Sequence, residues 1–502
     1  MLNLTGFLGY HARRAPERLA LIYEEREIGY GELWARALAA AALLARRGIG
    51  PGDVVAVLMK NSPAFLELCF AASHLGAIFL PINFRLARDE VAYICADSGA
   101  RLLFADDELA ASCPDGAETV LVDTAAQRDS RALGGTAGDA PEAVPRGTGD
   151  LFRLMYTSGT TDHPKGVMHS YDNFYWKSAD HLNALDIAAA DRLLTMGPLY
   201  HVGAFDLPGV ALLWRGGAMC VLRDYAPEAV LAAIERHRLT CGWMAPVMLS
   251  GVLAHPGRER FDLASFKWLI GGGERTPENR IREFGNLFTA GRYIDGYGLT
   301  ESCSGDTLME AGMEFAKIGS TGRALAHVEV TIRDDAGNAL PAEAEGEICL
   351  RGPKITRGYW NAPEKTAESF FADRFRTGDV GRLDADGFLY LTDRKKDMII
   401  SGGENIASSE VERVLQQLPQ VFDAAVVGLP DERWGERPVA VVVLRPGSGL
   451  GLAELDAFCR RRLAGFKVPK ALFLVDELPR NPSGKVLKRV LRERLAGAAP
   501  EA

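Results

Sequence analysis

Between residues 31 and 107 the apolar positions change period repeatedly. "GELWARALAAAALLARRG" spaces them as a helix does, "DVVAVLM" runs them together as a buried strand does, and "PAFLELCFAASHLG" then "AIFLPIN" repeat the helix and the strand. "ARDEVAYICADSG" and "RLLFADD" give the pair a third time. Short apolar runs alternating with helices predict a layered α/β fold with a largely parallel sheet. Residues 124 to 149, rich in Gly, Ala, Pro and charge, interrupt the pattern as a surface connection. It resumes with "DRLLTMGPLYHVGAF", "YAPEAVLAAIERHRLT", "CGWMAPVMLSGVLA" and "FKWLIGGGE", read as strand, helix, strand-turn-helix and strand.

From about residue 320 to 393 the texture changes to short strands with Gly and Asp turns ("HVEVTIRDDAGN", "GEICLRG", "GRLDADGFLYLTD"), which predicts a small, barrel-like β-rich subdomain. Past "DRKKDMI" a second compact pattern begins. A capping box of Ser409 and Glu412 is predicted to open a helix over "SSEVERVLQQLPQV". Strands "FDAAVVGLP", "PVAVVVLRPG" and "KALFLVDELP" and helices "LAELDAFCRRRLAG" and "KVLKRVLRERLAG" follow. The chain of 502 residues is too long for one core, and the expected division is a large N-terminal domain over 1–393, a junction at 394–396 and a small α+β domain over 397–502.

A net charge of −9 without a basic block argues against a nucleic-acid partner, since phosphate neutralisation needs a concentrated cationic face. The eight cysteines are scattered with no C-x-x-C pair, so neither a zinc site nor a disulfide framework is expected, and a reducing cytoplasm fits. The first residues lack a basic segment followed by a long apolar run, and no stretch approaches the ~20 apolar residues of a membrane span. The expectation is a soluble cytoplasmic protein without an integral membrane segment.

Candidate chemistry gathers in Gly-rich stretches at strand ends, where open α/β sheets bind ligands. "YTSGTTDHPKG" (Tyr156 to Gly166) offers four hydroxyls, a glycine and Lys165, groups suited to a phosphate chain, though not in the order of a Walker A loop. "LIGGGE" ends a strand in three glycines, which reads equally as a tight turn or as close backbone approach to a flat ring. "YIDGYGLTES" flanks Tyr297 with Gly296 and Gly298 and sets Thr300 beside Glu301, a hydroxyl and carboxylate able to hold Mg²⁺ on a polyphosphate. "FRTGDV" contributes Asp379, and "NPSGK" contributes Lys485 between the last strand and the last helix.

In this order and at these separations, "YTSGTTDHPKG", "PLYHVGA", "GGGE", "DGYGLTE", "RTGDV", "DRKKDMIISGGENI" and "NPSGK" resemble the adenylate-forming superfamily of acyl-CoA synthetases, luciferases and peptide-synthetase adenylation domains. The resemblance runs from about residue 10 to 495. It implies an AMP-forming acid–thiol ligase using ATP, Mg²⁺ and coenzyme A on a small-molecule carboxylic acid. The carboxylate would attack the α-phosphorus to give an acyl-adenylate and pyrophosphate, and the thiol would then expel AMP.

By similarity Lys485 would bridge carboxylate and α-phosphate, Thr300 would touch that phosphate, and Glu301 would bind the metal. Thr157, Ser158, Gly159, Thr160, Thr161 and Lys165 would hold the pyrophosphate end. Gly272, Gly273, Glu274, Asp295, Gly296, Tyr297 and Gly298 would surround adenine, and Asp379 with Arg394 the ribose. Lys396 would be the hinge about which the C-terminal domain turns, delivering Ser401, Gly402, Gly403 and Glu404 to coenzyme A. His201 would gate an acyl pocket lined by Phe205, Trp243, Met244 and Val247, which suits an aromatic, hydroxycinnamate- or benzoate-like, or medium-chain acid. Asp206 is expected to be structural. Asp162 stands where the family usually has glycine, and its carboxylate would repel pyrophosphate unless turned outward. Other readings of the same scaffold stay open: loading of an acyl or amino acid onto a carrier protein in trans, a luciferase-type oxygenase, or a nucleotide-binding module. A homodimer is left open as well.

Overall fold

The structure is a computed structural model, and it describes residues 3–496 apart from 129–132, 134–136, 158–163, 275, 395–396, 402–403, 432 and 481–484, with the side chains of 393, 394 and 405 also outside the description. Two sheets carry the large N-terminal domain. The six-stranded one runs Thr119–Val122, Ala100–Asp106, Val54–Leu58, Ile78–Pro81, Leu151–Thr157, Lys165–Ser170. Its strands are parallel except for the last two, which form an antiparallel hairpin pairing Thr157 with Lys165. The nine-stranded sheet runs Arg323–Ala324, Thr307–Leu308, Arg292–Tyr297, Trp268–Gly271, Cys241–Met244, Arg192–Thr195, Ala218–Val221, Leu19–Tyr23, Arg26–Gly29, parallel through its six central strands and antiparallel at both ends.

Period-two alternation sorts the side chains into layers. Val55 and Val57 of one sheet and Leu193, Met219, Trp243 and Ile270 of the other point into one shared core with the helices Thr5–Arg14, Tyr30–Arg46 and Pro63–Leu75. Their neighbours face outward. Val54, Ala56 and Leu58 pack on the helix Arg88–Ser98, and Leu194, Cys220, Met244 and Leu269 pack on the helices Pro227–His237, Pro246–Ala254 and Glu278–Leu287. The result is helix, sheet, helix, sheet, helix. Helix Pro63–Leu75 is buried along its whole length, which explains why its sequence is apolar all round.

An antiparallel five-stranded sheet follows, with Glu329–Arg333, Gly346–Arg351 and Arg374–Leu383 in order and Phe370–Phe371 and Leu389–Arg394 pairing the last. The small C-terminal domain has its own sheet, in which Val421–Asp431 pairs Gly435–Leu444 along its length. Helices Ser408–Leu415 and Leu452–Arg460 cover one face and Lys488–Leu495 the other. The expected capping box does not form. Ser409 lies inside the helix and donates to the Thr392 carbonyl, while Glu412 accepts from the Val426 N–H at 2.8 Å. Among the described residues no helix is long and apolar enough to cross a membrane.

Burial depresses several histidines. His169 is lowered to about 3 and His201 to about 4, while His74 and His181 also lie below their ordinary value. The unfolded chain therefore takes up protons near the ordinary histidine pKa of about 6.5 that the folded chain refuses, so folding stability is full above that pH and falls as pH drops toward the folded values. Urea unfolding from about pH 7 down to about pH 5 is expected to show a falling midpoint. A midpoint constant over that range would show that these imidazoles are not held neutral.

Candidate active site

The site forms where the nine-stranded sheet ends at Gly271 and Tyr297. The chain there passes so close to itself that side chains are excluded. A Cβ at Gly271 would lie 1.5 Å from the Tyr293 hydroxyl oxygen, and one at Gly298 would lie 2.3 Å from the Gly305 nitrogen. Gly272, backed by the Gly296 carbonyl, and Gly273, at φ +94°, continue the open backbone edge, and Asp295 is buried one residue before Gly296. Tyr297 is almost fully buried, and its hydroxyl donates to Asp379 Oδ2 at 2.8 Å, tying the adenine-side tyrosine to the ribose-side carboxylate expected from sequence.

Beyond Gly298 comes the short helical turn Thr300–Ser302, then Cys303, Ser304 and Gly305 in succession with left-handed backbone. That costly run is held from below by buried Lys354, which donates to the Ser304 and Gly305 carbonyls and pairs with buried Asp306 at 3.0 Å. The Glu301 carbonyl accepts from Thr356 N–H at 2.6 Å, and its carboxylate accepts from the Tyr359 hydroxyl at 2.8 Å. Lys165 Nζ sits 5.2 Å from the centre of the same Tyr359 ring. Tyr359 thus stands between the lysine expected at the phosphates and the carboxylate expected at the metal. A partly exposed carboxylate oriented by the Tyr359 hydroxyl is a hard oxygen donor that fits Mg²⁺ carried in on ATP.

The C-terminal domain reaches this site through Glu274. Its carboxylate accepts from Arg480 Nη1 at 2.7 Å and from the Val486 N–H, and Arg480 also pairs with Asp423 at 2.6 Å. Lys485, next to Val486, comes near enough to His201 for its charge to bear on the imidazole. Burial lowers the His201 pKa first, Asp206 opposes the shift, and the Lys485 ammonium adds to it. His201 Nδ1 accepts from the Gly203 N–H at 3.1 Å, so the neutral ring carries its proton on Nε2. Glu274, expected beside adenine, also receives the lysine-bearing segment.

The expected acyl pocket divides. Trp243 occupies a nest of glycines beside His201, at 6.2 Å between ring centres. A Cβ at Gly203 would meet its ring at 2.4 Å and one at Gly197 at 2.7 Å. Met244, the next residue on the strand, points to the opposite face of the sheet and packs in the outer core, because strand side chains alternate. Phe205 is likewise withdrawn. It lies among Phe65 and Phe174 with the Arg153 guanidinium 5.4 Å from its centroid. Val247 is 38 % exposed at the start of helix Pro246–Ala254. Asp206 is consumed by buried pairs with Arg153 and Lys177.

Ser401 and Glu404 pair across the antiparallel strands Ile399–Ser401 and Glu404–Ile406. Ser158, Gly159, Thr160, Thr161, Asp162, Gly402, Gly403, Lys396 and the Arg394 side chain lie outside the described residues. Thr157 and Lys165 bracket the phosphate loop on its hairpin. Sequence reasoning missed Tyr359, Arg480, Arg153 and His169. Only "RGYW", an aromatic cluster after the glycine turns, marks the first of these, and nothing local marks the others.

Residues 8–360 match the family model for the AMP-binding enzyme, and residues 410–485 match that for the AMP-binding enzyme C-terminal domain. The chain is 39% identical to a feruloyl-CoA synthase of an Amycolatopsis species over 96% of this chain and 97% of that one. It is 36% identical to the long-chain-fatty-acid–CoA ligase FadD13 of Mycobacterium tuberculosis over the whole of both. Among solved structures, o-succinylbenzoate CoA synthetase from Bacillus subtilis with its acyl-adenylate intermediate superposes with a TM-score of 0.86 at 31% identity, covering 99% of each chain. With the strand-end glycines beside the Thr300–Glu301 turn and with matches spanning the chain, this protein belongs to the AMP-binding enzyme family.

Proposed function

We propose that this protein is an ATP-dependent acid–CoA ligase whose substrate is an aromatic or medium-chain carboxylic acid. The observation that carries the reading is the capture of the Lys485 segment by Glu274, which brings a cation from the small domain near His201. Carboxylate and α-phosphate are both anionic, and a lysine placed between them cancels the repulsion as the new P–O bond forms and pyrophosphate leaves. Glu301 would hold the Mg²⁺ that arrives with ATP, Lys165 the pyrophosphate end, and Asp379 the ribose. In the second half the coenzyme A thiolate attacks the acyl carbon and AMP departs with the electron pair. Ser401 to Glu404 would face the thiol after the small domain turns about Lys396.

For the acid, Trp243 and neutral His201 offer a flat, largely apolar wall whose ring N–H groups are its donors, which suits a planar ring better than a long flexible chain. The relatives named above act on feruloyl, fatty-acyl and succinylbenzoyl groups, which supports an aromatic or fatty carboxylic acid. On this reading the protein works in the cytoplasm.

A panel of hydroxycinnamates, benzoates, fatty acids and amino acids is to be incubated with Mg-ATP, with and without coenzyme A, and AMP, pyrophosphate and thioester read by mass spectrometry. The expected result is a thioester from an aromatic acid only when coenzyme A is present. Pyrophosphate without thioester would move the acceptor to a carrier protein, and no product from any acid would overturn the reading. Lys485→Ala should lose at least about 100-fold in adenylation yet still transfer a supplied acyl-adenylate to coenzyme A. Arg480→Ala should slow adenylation by about tenfold through loss of the Glu274 contact, again with transfer largely kept. Equal losses in both half-reactions would show that Arg480 does not serve the Lys485 segment.

A further inference from the structure

Beneath the site lies a group of buried polar side chains that the reaction itself does not use. Arg153, on the strand entering the phosphate loop, makes a two-pronged pair with Asp206, Nη1 to Oδ1 at 3.1 Å and Nη2 to Oδ2 at 2.6 Å, with side chains only 1 % and 0 % exposed. The same guanidinium turns its Nε and Nη2 to His169 Nδ1 at 3.0 and 2.9 Å. His169 sits on the strand leaving the phosphate loop, and its Nε2 meets the Thr300 carbonyl at 2.7 Å.

The direction of every bond follows from one fact. A guanidinium can only donate, so Nδ1 of His169 must accept, and a neutral imidazole that accepts on Nδ1 carries its proton on Nε2. That N–H donates to the Thr300 carbonyl. Burial first and the Arg153 charge second hold His169 neutral, lowered to about 3, so the tautomer persists at any working pH. The aromatic rings of Phe152, Phe174 and Phe205 lie 5.4 to 5.8 Å from the guanidinium carbon and leave it no alternative partners among solvent.

We propose that Asp206, Arg153 and His169 form a rigid polar strut that sets the position of the Thr300–Glu301 turn relative to the phosphate hairpin, making His169 a positioning residue for attack on the α-phosphate. The strut ties together three segments: the hairpin Leu151–Thr157 with Lys165–Ser170, the His201–Asp206 segment, and the turn bearing the carboxylate expected at the metal. Each link is charge-assisted or fixed in tautomer, so each is directional as well as attractive. This inference rests on the reading of Thr300 and Glu301 as the α-phosphate and metal side of an adenylation site.

Two variants separate the strut from mere core filling. His169→Gln keeps an acceptor for Arg153 and a donor for Thr300. His169→Asn keeps the acceptor but is too short to reach the carbonyl. Pyrophosphate exchange is measured against Mg-ATP, and transfer to coenzyme A is measured from a supplied acyl-adenylate. The Asn variant should lose about 10- to 100-fold in kcat/KM for Mg-ATP, as expected for a small displacement of a reacting group, while transfer changes by less than about threefold. The Gln variant should stay within about threefold of the parent in both. Glu67→Gln, which breaks the buried Arg36–Glu67 pair in the helical core, is a control for destabilisation alone and should leave the ratio of the two rates unchanged. In the parent protein, the His169 Nε2–H should give a slowly exchanging ¹⁵N resonance that shifts when Mg-ATP binds, a readout that needs no variant. An Asn variant with adenylation intact, equal losses in both half-reactions, or a resonance indifferent to Mg-ATP would each overturn the proposal. A parent that adenylates no acid would overturn the assigned reaction instead, and the tautomer would still be read from the resonance.

Discussion

Arg153 and Asp206 face one another where no water can reach either, and much of the site is arranged around satisfying them. Desolvating two full charges costs several kcal/mol per ion unless each finds close, well-aligned partners. The chain answers with two parallel bonds between them, with Lys177 pairing Asp206 at 3.5 Å and donating to its carbonyl at 3.0 Å, and with His169 accepting from the guanidinium Nε and Nη2. Burial and two cations act on the carboxyl in opposite directions, and the cations win: Asp206 is held below its ordinary value. Removing one partner alone would strand the others, so the residues form a unit rather than a sum of contacts.

A second unit lies beside the first. Lys354 and Asp306 are also wholly buried and support the left-handed run after Glu301. Burial raises the Asp306 carboxyl against the pull of Lys354, the reverse balance from Asp206, which has two cations and a bidentate partner. Between them the two units fix both ends of a turn whose own backbone is strained, and that turn carries the residues expected to meet the α-phosphate and its metal.

The layered fold was legible because its signal is periodic. Val54 to Leu58 and Cys241 to Met244 sort by odd and even positions into inner and outer cores, and the apolar runs announce them. The strand-end glycines, Glu301, Asp379 and Lys485 were legible as motif residues. Met244 was misplaced because a run of apolar letters does not say which face of the sheet is the pocket. Phe205 was misread because a helix interrupted at Leu207 does not keep the helical period from which facing is inferred, whereas Asp206, expected to be structural, is held in buried pairs with Arg153 and Lys177. Arg153, His169 and Arg480 could not be found from spacing at all. Their partners are 16 to 206 residues away, and in the sequence each is one more polar residue in an ordinary stretch.

The Glu274 clasp has a consequence for timing. Arg480 and Glu274 are each about one-fifth exposed, and a pair in that setting contributes on the order of 1 kcal/mol rather than the several of a dry one. A latch that weak biases the closed arrangement without trapping it. On the proposed reading, departure of pyrophosphate would take away the anions that favour a lysine at this end of the site. The small domain would then be free to leave at thermal cost, and the enzyme's commitment to its second step would be governed by what has left the site, with no separate signal required.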